Sequence, residues 1–249
     1  MLSALVSVIV VVLTVDAVRR PNILLIVADD HGWNDVDWHD PTLNTPNLNT
    51  LAHDEHTVQL DYAYVNQVCS PTRSALFSGY YPYHLGTQHY VFEWLEPSGV
   101  PLEYIFFPEK LKTLGYNTYM VGKWHLGYCK HEFLPTRRGF EKFRGYYGGS
   151  ENYYTHEASQ DEGEVTVRGL DYFQDTRQSF AADWSKTGLY STEVFTNETI
   201  TLLQNHDKKR PFFFYLAFQA VHSPLQMPPS RYMEEKCSKI TRKNRQIYC

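Results

Sequence analysis

Cysteine is scarce in this chain. Cys69, Cys129, Cys237 and Cys249 are the only four in 249 residues, with no CxxC pair and no zinc-ligand spacing. That excludes a small scaffold built on disulfides and the common zinc modules. A basic surplus is also missing: 23 Lys and Arg stand against 28 Asp and Glu, a formal net charge of −5. Nucleic acid as a partner and a polybasic membrane surface both lose their support. Lys239, Arg242, Lys243 and Arg245, clustered in the tail, read as a solvated face. There is no internal repeat and no long linker. The one extended apolar run covers residues 2–15 and is followed by Val15-Asp16-Ala17. It is too short to span a bilayer comfortably, so residues 1–17 read as a cleaved signal peptide and no stable membrane span is expected. The run lacks a basic flank, and an uncleaved anchor is the alternative. Entry into the secretory route makes Asn197-Glu198-Thr199 a glycosylation acceptor at Asn197.

What is present suits one ordinary domain or part of a larger one: apolar and aromatic residues make up 43% of the chain, with 19 Tyr and 5 Trp. Two largely apolar stretches, Asn22 to Ala28 and Pro211 to Phe218, predict buried strands, and Tyr116 to Val121 predicts a further strand. Pro46 to Asp54 predicts a short helix with Leu48 and Leu51 turned inward. Pro108 to Leu114 predicts another, stopped by Gly115. Residues 187–206 predict a third around Val194, Ile200 and Leu203. Tyr80 to Gly86 reads as loop, and Gly145 to Asp175 as an insertion or loop region over a pocket. The alternation implies an α/β fold: a mostly parallel sheet with helices on both faces. Ligands of such sheets gather outside the carboxyl ends of the strands.

The residues at those ends carry chemistry. Asp29 and Asp30 end the first strand, a good start for a hard-cation site. Loop acids and a helix cap are the plain alternative. Cys69-Ser70-Pro71-Thr72-Arg73 puts a thiol before a proline suited to a first helical turn. The amides and dipole of that turn favour an anionic oxygen or thiolate, and Arg73 follows one turn on, on the same face. A small buried hydrophobe is the competing reading of Cys69. Lys123 and His125 end the second strand two residues apart and can face one pocket, or form a basic surface turn. His222 follows the third strand beside Pro224. It is read either as a site residue or as a buried histidine bound to backbone.

Cys69-Ser70-Pro71-Thr72-Arg73, with Ser74-Ala75-Leu76 and Ser78-Gly79-Tyr80 after it, resembles the signature of the type I sulfatases. Further similarity lies in Asn22 to Trp33, Thr45 to Leu51, Gly115 to Gly127, Leu134 to Phe140 and Pro211 to Pro224. Within the family the resemblance points to the arylsulfatase B, I and J group. It implies the alkaline-phosphatase-like sulfatase fold and hydrolysis of sulfate monoesters, on sulfated glycosaminoglycan sugars or aryl sulfates, in the lysosome or outside the cell. It implies calcium held by Asp29, Asp30 and residue 69, and conversion of Cys69 to formylglycine by the formylglycine-generating enzyme. Lys123 and His222 match substrate contacts. Arg73, Lys123, His125 and His222 join Cys69 as the expected catalytic set.

The chain also departs from that pattern. The resemblance implies that residues 18–249 hold only the N-terminal part of the catalytic domain. An Asp-Asn pair completing the calcium site, a second sulfate-binding lysine and a smaller C-terminal domain would lie in sequence beyond residue 249. The 249 residues alone are therefore expected to fold poorly and to be inactive. Relatives of arylsulfatase B carry cysteines in the loop matching Trp94 to Gly99, one bridging to the segment of Cys129. None occurs in that loop here. Two rivals share the motifs: a phosphoester or phosphonate hydrolase of the same superfamily, and a catalytically dead, secreted glycan-binding protein.

Overall fold

The computed structural model describes residues 20–248 apart from residue 234. The expected signal peptide lies outside the described residues, as does Cys249. In chain order the elements are β1 (Ile23–Val27), α1 (Pro46–Ala52), α2 (Cys69–Ser78), α3 (Pro82–Leu85), α4 (Phe107–Thr113) and β2 (Asn117–Lys123). They continue as β3 (Lys142–Tyr146), β4 (Glu157–Glu162), β5 (Val165–Leu170), β6 (Phe173–Thr176), β7 (Phe180–Ala182), α5 (Ser191–Gln204) and β8 (Phe212–Ala217). Two short helices, α6 (Glu235–Ser238) and α7 (Lys243–Tyr248), follow.

Six strands form one sheet in the order β1-β8-β2-β3-β6-β7, and β4 pairs with β5 in a separate hairpin. The first four are mutually parallel, while β6 and β7 add antiparallel at the far edge. Side chains alternate across the central strands and divide the core into two layers. Met120, Phe213 and Tyr215 pack on one face with Phe77 of α2, Leu111 of α4, Trp124 and Phe140. Tyr119, Val121, Phe214 and Leu216 pack on the other with Val194, Phe195 and Leu202 of α5. Helices on both faces explain why β8 and the centre of β2, Tyr119 to Val121, carry apolar and aromatic side chains on both sides.

The predicted strands and helices are all present, but burial corrects several expectations. Among the described residues β1 is an edge strand. Ile23, Leu25 and Val27 pack on the core, whereas Leu24 and Ile26 are 48% and 53% exposed. No described element covers that face. Leu48 and Leu51 of α1 are exposed and the helix buries no residue. In α5 the inward face is Val194, Phe195 and Leu202, while Ile200 is exposed. Pro82–Leu85, read as loop, closes into a helical turn ended by Gly86 at φ 72°. Residues 145–175 contain the end of β3, the β4–β5 hairpin and the start of β6 rather than loop alone. No helix among the described residues is long and apolar enough to cross a membrane.

The two layers predict a contrast. In protein expressed from the complete reading frame, Met120→Ala, at a fully buried central position, is expected to cost about 2–5 kcal/mol. Leu24→Ala is expected to cost under about 1 kcal/mol where no sequence beyond residue 249 packs on that face. Urea unfolding of both variants measures this, and equal losses would mean that the β1 face is covered.

Candidate active site

Three strand ends and one helix start converge. β1 delivers Asp29 and Asp30, β2 delivers Lys123 and His125, β8 leads to His222, and α2 begins at Cys69. Gly122 makes the close approach at the end of β2 possible. It sits at φ 101°, and a Cβ there would lie 1.9 Å from the Ala217 carbonyl oxygen of β8. Only glycine fits that position.

Lys123 is fully buried. Its Nζ donates to Asp29 Oδ2 at 2.5 Å and to Cys69 Sγ at 3.2 Å. Arg73, also buried, lies 3.3 Å from Asp29 Oδ1 and donates to the Lys123 carbonyl and to Tyr215 Oη, each at 3.0 Å. Two buried cations thus surround one buried carboxylate beside Cys69. Burial pushes the Asp29 carboxyl up, but Lys123 and Arg73 outweigh it and hold it below its usual value. Burial likewise raises the Cys69 thiol, yet its hydrogen bond with His222 and the Lys123 charge bring it below the ordinary thiol value. The pocket favours an anion at residue 69.

His222 Nδ1 donates to the Ser223 carbonyl at 2.6 Å, and its Nε2 lies 3.7 Å from Asp30 Oδ2. Ligand atoms of Asp29, Cys69 and His222 lie within 4.8 Å of one another. The hydrogen bond to Cys69 raises the His222 pKa against the opposing effect of burial. His125, at φ 59°, donates from Nε2 to the Phe92 carbonyl at 2.9 Å. Its buried Nδ1 has no partner among the described residues. Burial and the Lys123 charge hold it well below the ordinary histidine value, so it is a neutral imidazole with a free Nδ1 lone pair. Gly149 leaves it room: a Cβ there would lie 2.7 Å from the imidazole.

A cavity of about 420 Å³ opens over this group, lined by Asp30, Cys69, Phe92, Trp94, His125 and His222 among others. All seven residues expected around the reaction centre therefore meet in one place. Asn197 does not belong to it. It is exposed on α5 and borders a separate cavity of about 620 Å³ formed with residues 228–247.

The donor set fits calcium in part. Asp30 lines the Cys69 cavity and Asp29 Oδ1 lies 3.8 Å from Cys69 Sγ; carboxylate oxygens are the hard donors calcium takes. Those two side chains fall short of the about six to eight oxygens it prefers, so they suit part of a calcium site rather than a whole one. Cys129 is an exposed free thiol whose Sγ lies 3.7 Å from the Ser98 carbonyl. The segments a family disulfide would join are thus neighbours here without a bridge, whereas Cys237 is disulfide-bonded.

Sequence reasoning missed the supporting groups. Tyr215 is one: a hydroxyl in the otherwise apolar Phe212 to Ala217 strand, which was the available signal. The Phe92 carbonyl that fixes His125 left none, because any residue supplies a carbonyl.

The family model for sulfatases matches residues 21–247. The chain belongs to the sulfatase family. This sulfatase chain is 40% identical to arylsulfatase J of Mus musculus over 229 residues, covering 92% of the chain and 37% of that protein. It is 30% identical to N-acetylgalactosamine-6-sulfatase of Homo sapiens over 221 residues, covering 84% of the chain and 41% of that protein. The chain spans about two-fifths of the length of these curated relatives. Among solved structures, Ps i-CgsB in complex with k-i-k-neocarrahexaose superposes with a TM-score of 0.77 at 28% identity, over 92% of this chain and 51% of that one. BT4656 in complex with D-glucosamine-2-N,6-O-disulfate gives 0.63 at 23% identity, over 86% and 37%, a likeness of fold. The α/β architecture is thus that of the sulfatases.

One buried acid near the site titrates in an accessible range. Asp171 Oδ1 and Oδ2 accept from the backbone N–H groups of Tyr147 and Gly148 at 2.9 and 2.8 Å. Burial nevertheless pushes its pKa from 3.8 to about 6. The folded state then holds this proton more tightly than the unfolded chain does. Stability from this group is full below about pH 4 and declines by roughly 3 kcal/mol as pH rises through 6. Asp171→Asn in the complete reading frame is expected to flatten that decline in urea midpoints measured from pH 4 to 7. An unchanged slope would contradict the assignment.

Proposed function

We propose that this chain is the N-terminal part, residues 18–249 after a signal peptide at 1–17, of a calcium-dependent sulfatase that hydrolyses sulfate monoesters. Its substrates are sulfated glycosaminoglycan sugars, with simple aryl sulfates as surrogates, and its place is the secretory pathway, in the lysosome or outside the cell. The observation that carries the reading is Cys69 at a helix start, 3.2 Å from the ammonium of a fully buried lysine. In this reading the formylglycine-generating enzyme oxidises Cys69, and Asn197 carries a glycan.

The chain's own residues divide the work. Lys123 offsets charge gathering on the sulfuryl oxygens in the transition state. Arg73, anchored on Asp29, Tyr215 and the Lys123 carbonyl, holds residue 69 and Asp29 in register. His125, with its free Nδ1 lone pair, orients the hydroxyls of residue 69 and takes a proton as sulfate departs. His222 donates a proton to the leaving alcohol oxygen, a task suited to imidazole. The modified residue supplies geminal hydroxyls, one a nucleophile toward sulfur, the other allowing elimination of sulfate and return to the aldehyde. A serine alcohol would instead remain trapped as a sulfate ester. Asp29, Asp30 and residue 69 would hold calcium together with oxygen ligands from other sequence. Calcium, when bound, acidifies a hydroxyl and withdraws charge from sulfate oxygens.

Co-expression with the formylglycine-generating enzyme tests the reading. The tryptic peptide bearing residue 69 is expected to be about 18 Da lighter than its cysteine form, the mass of exchanging a thiol for an aldehyde. Cys69→Ala in the complete reading frame is expected to abolish aryl sulfate turnover. Retention of cysteine alone in the mature protein, or turnover by Cys69→Ala, would defeat the proposal. Faster hydrolysis of an aryl phosphate than of the matching sulfate would favour the phosphoester rival.

A further inference from the structure

A second cavity of about 480 Å³ adjoins the one above Cys69, and the two share Ser150, Ala158, Ser159 and Ser223 in their linings. Its far wall is the β4–β5 hairpin. Ser159 of β4 and Arg168 of β5 are cross-strand partners, so their side chains leave the same face of the hairpin. Ser159 borders both cavities, and Arg168 borders the second. Among the described residues this is the only arginine or lysine in its lining. The guanidinium is exposed and forms no ion pair or hydrogen bond with a described residue. That contrasts with Arg73, Arg138, Arg144 and Arg245, all of which are paired. Two acids share the lining, Glu151 and Glu157. Glu151 is buried beside His156 Nδ1 at 3.0 Å, and burial pushes its pKa well above the usual carboxylate value. Glu157 does not engage Arg168. The remaining lining is dominated by small hydroxyl and amide side chains.

A free guanidinium among small hydrogen-bonding groups, one residue pair from the reaction cavity, suits a hydroxyl-rich ring bearing an anion. We infer that this second cavity binds the sugar next to the one losing sulfate, and that Arg168 selects neighbours carrying an anionic group, a carboxylate or a second sulfate. The inference rests on the sulfatase reading of the Cys69 cavity, because that reading makes the occupant a sulfated glycan. It adds a residue and a cavity that set which glycan is accepted.

The test uses protein from the complete reading frame and four substrates: 4-methylumbelliferyl sulfate, and three trisaccharides with the same terminal sulfated sugar. The neighbouring sugar is a uronate, a sulfated hexose or a neutral hexose. For Arg168→Ala, kcat/KM on the aryl sulfate and on the neutral trisaccharide is expected to stay within about twofold. On one or both anionic trisaccharides it should fall about tenfold or more, mainly through KM, the scale of a lost charge-assisted hydrogen bond. Which anionic arm falls identifies the carboxylate or the sulfate. Arg168→Lys should restore part of the loss. Equal change on neutral and anionic trisaccharides, or no change on any, would overturn the inference. If the wild-type protein fails to cleave the aryl sulfate, the sulfatase reading falls instead. Calorimetric binding of the anionic trisaccharides to wild type and Arg168→Ala then still decides the cavity, with unchanged affinity counting against it.

Discussion

An ammonium group removed from water demands a partner, and Lys123 finds its partner in Asp29 at 2.5 Å. A buried charge left alone would cost several kcal/mol. This pair, with Arg73 closing on the other carboxylate oxygen, ties the ends of β1 and β2 to the first turns of α2. The three elements are far apart in sequence. What holds them at one point is charge pairing in a dry setting, backed by the aromatic layer beneath. Phe77 of α2 packs against Tyr215, Phe106 and Trp124, so the helix that presents Cys69 is seated on the sheet. Tyr215 belongs both to that layer and to the polar group above it, because its hydroxyl meets Arg73.

The charge count at this point has a functional side. Behind the cavity Lys123 and Arg73 share the Asp29 carboxylate, and the Cys69 thiol is drawn toward its anion by its hydrogen bond with His222 and by the Lys123 charge. The neutral imidazole of His125 stands alongside, fixed through Nε2 and open at Nδ1. The arrangement offers both buried cations and a proton acceptor, and these belong to different residues.

Much of the architecture was legible because β2, β8 and the turn into α2 obey local rules. Continuous apolar runs need cover on both faces, and Pro71 suits a helix start. Where reading failed, burial depended on neighbours rather than on the run itself. Leu24, Ile26, Leu48 and Leu51 are apolar yet exposed, since no described element covers them. The site was legible as a set of residue types at strand ends, and the family resemblance sorted these from surface turns. Its supports were not legible: the Phe92 carbonyl, the room left by Gly149 and the placement of Arg168 on a hairpin wall arise from long-range contacts. Residues 145–175 gave little periodicity, and the hairpin there is held largely by pairing between β4 and β5.

The central claim is that the buried Lys123 ammonium serves the sulfate as well as the fold. The most direct measurement is kcat/KM for 4-methylumbelliferyl sulfate with Lys123→Met, made in the complete reading frame on material whose near-ultraviolet circular dichroism matches wild type. The account predicts a loss of at least about 100-fold, the scale of one preorganised transition-state contact. A folded variant within about threefold of wild type would contradict it, and would leave Lys123 as a structural partner of Asp29 alone.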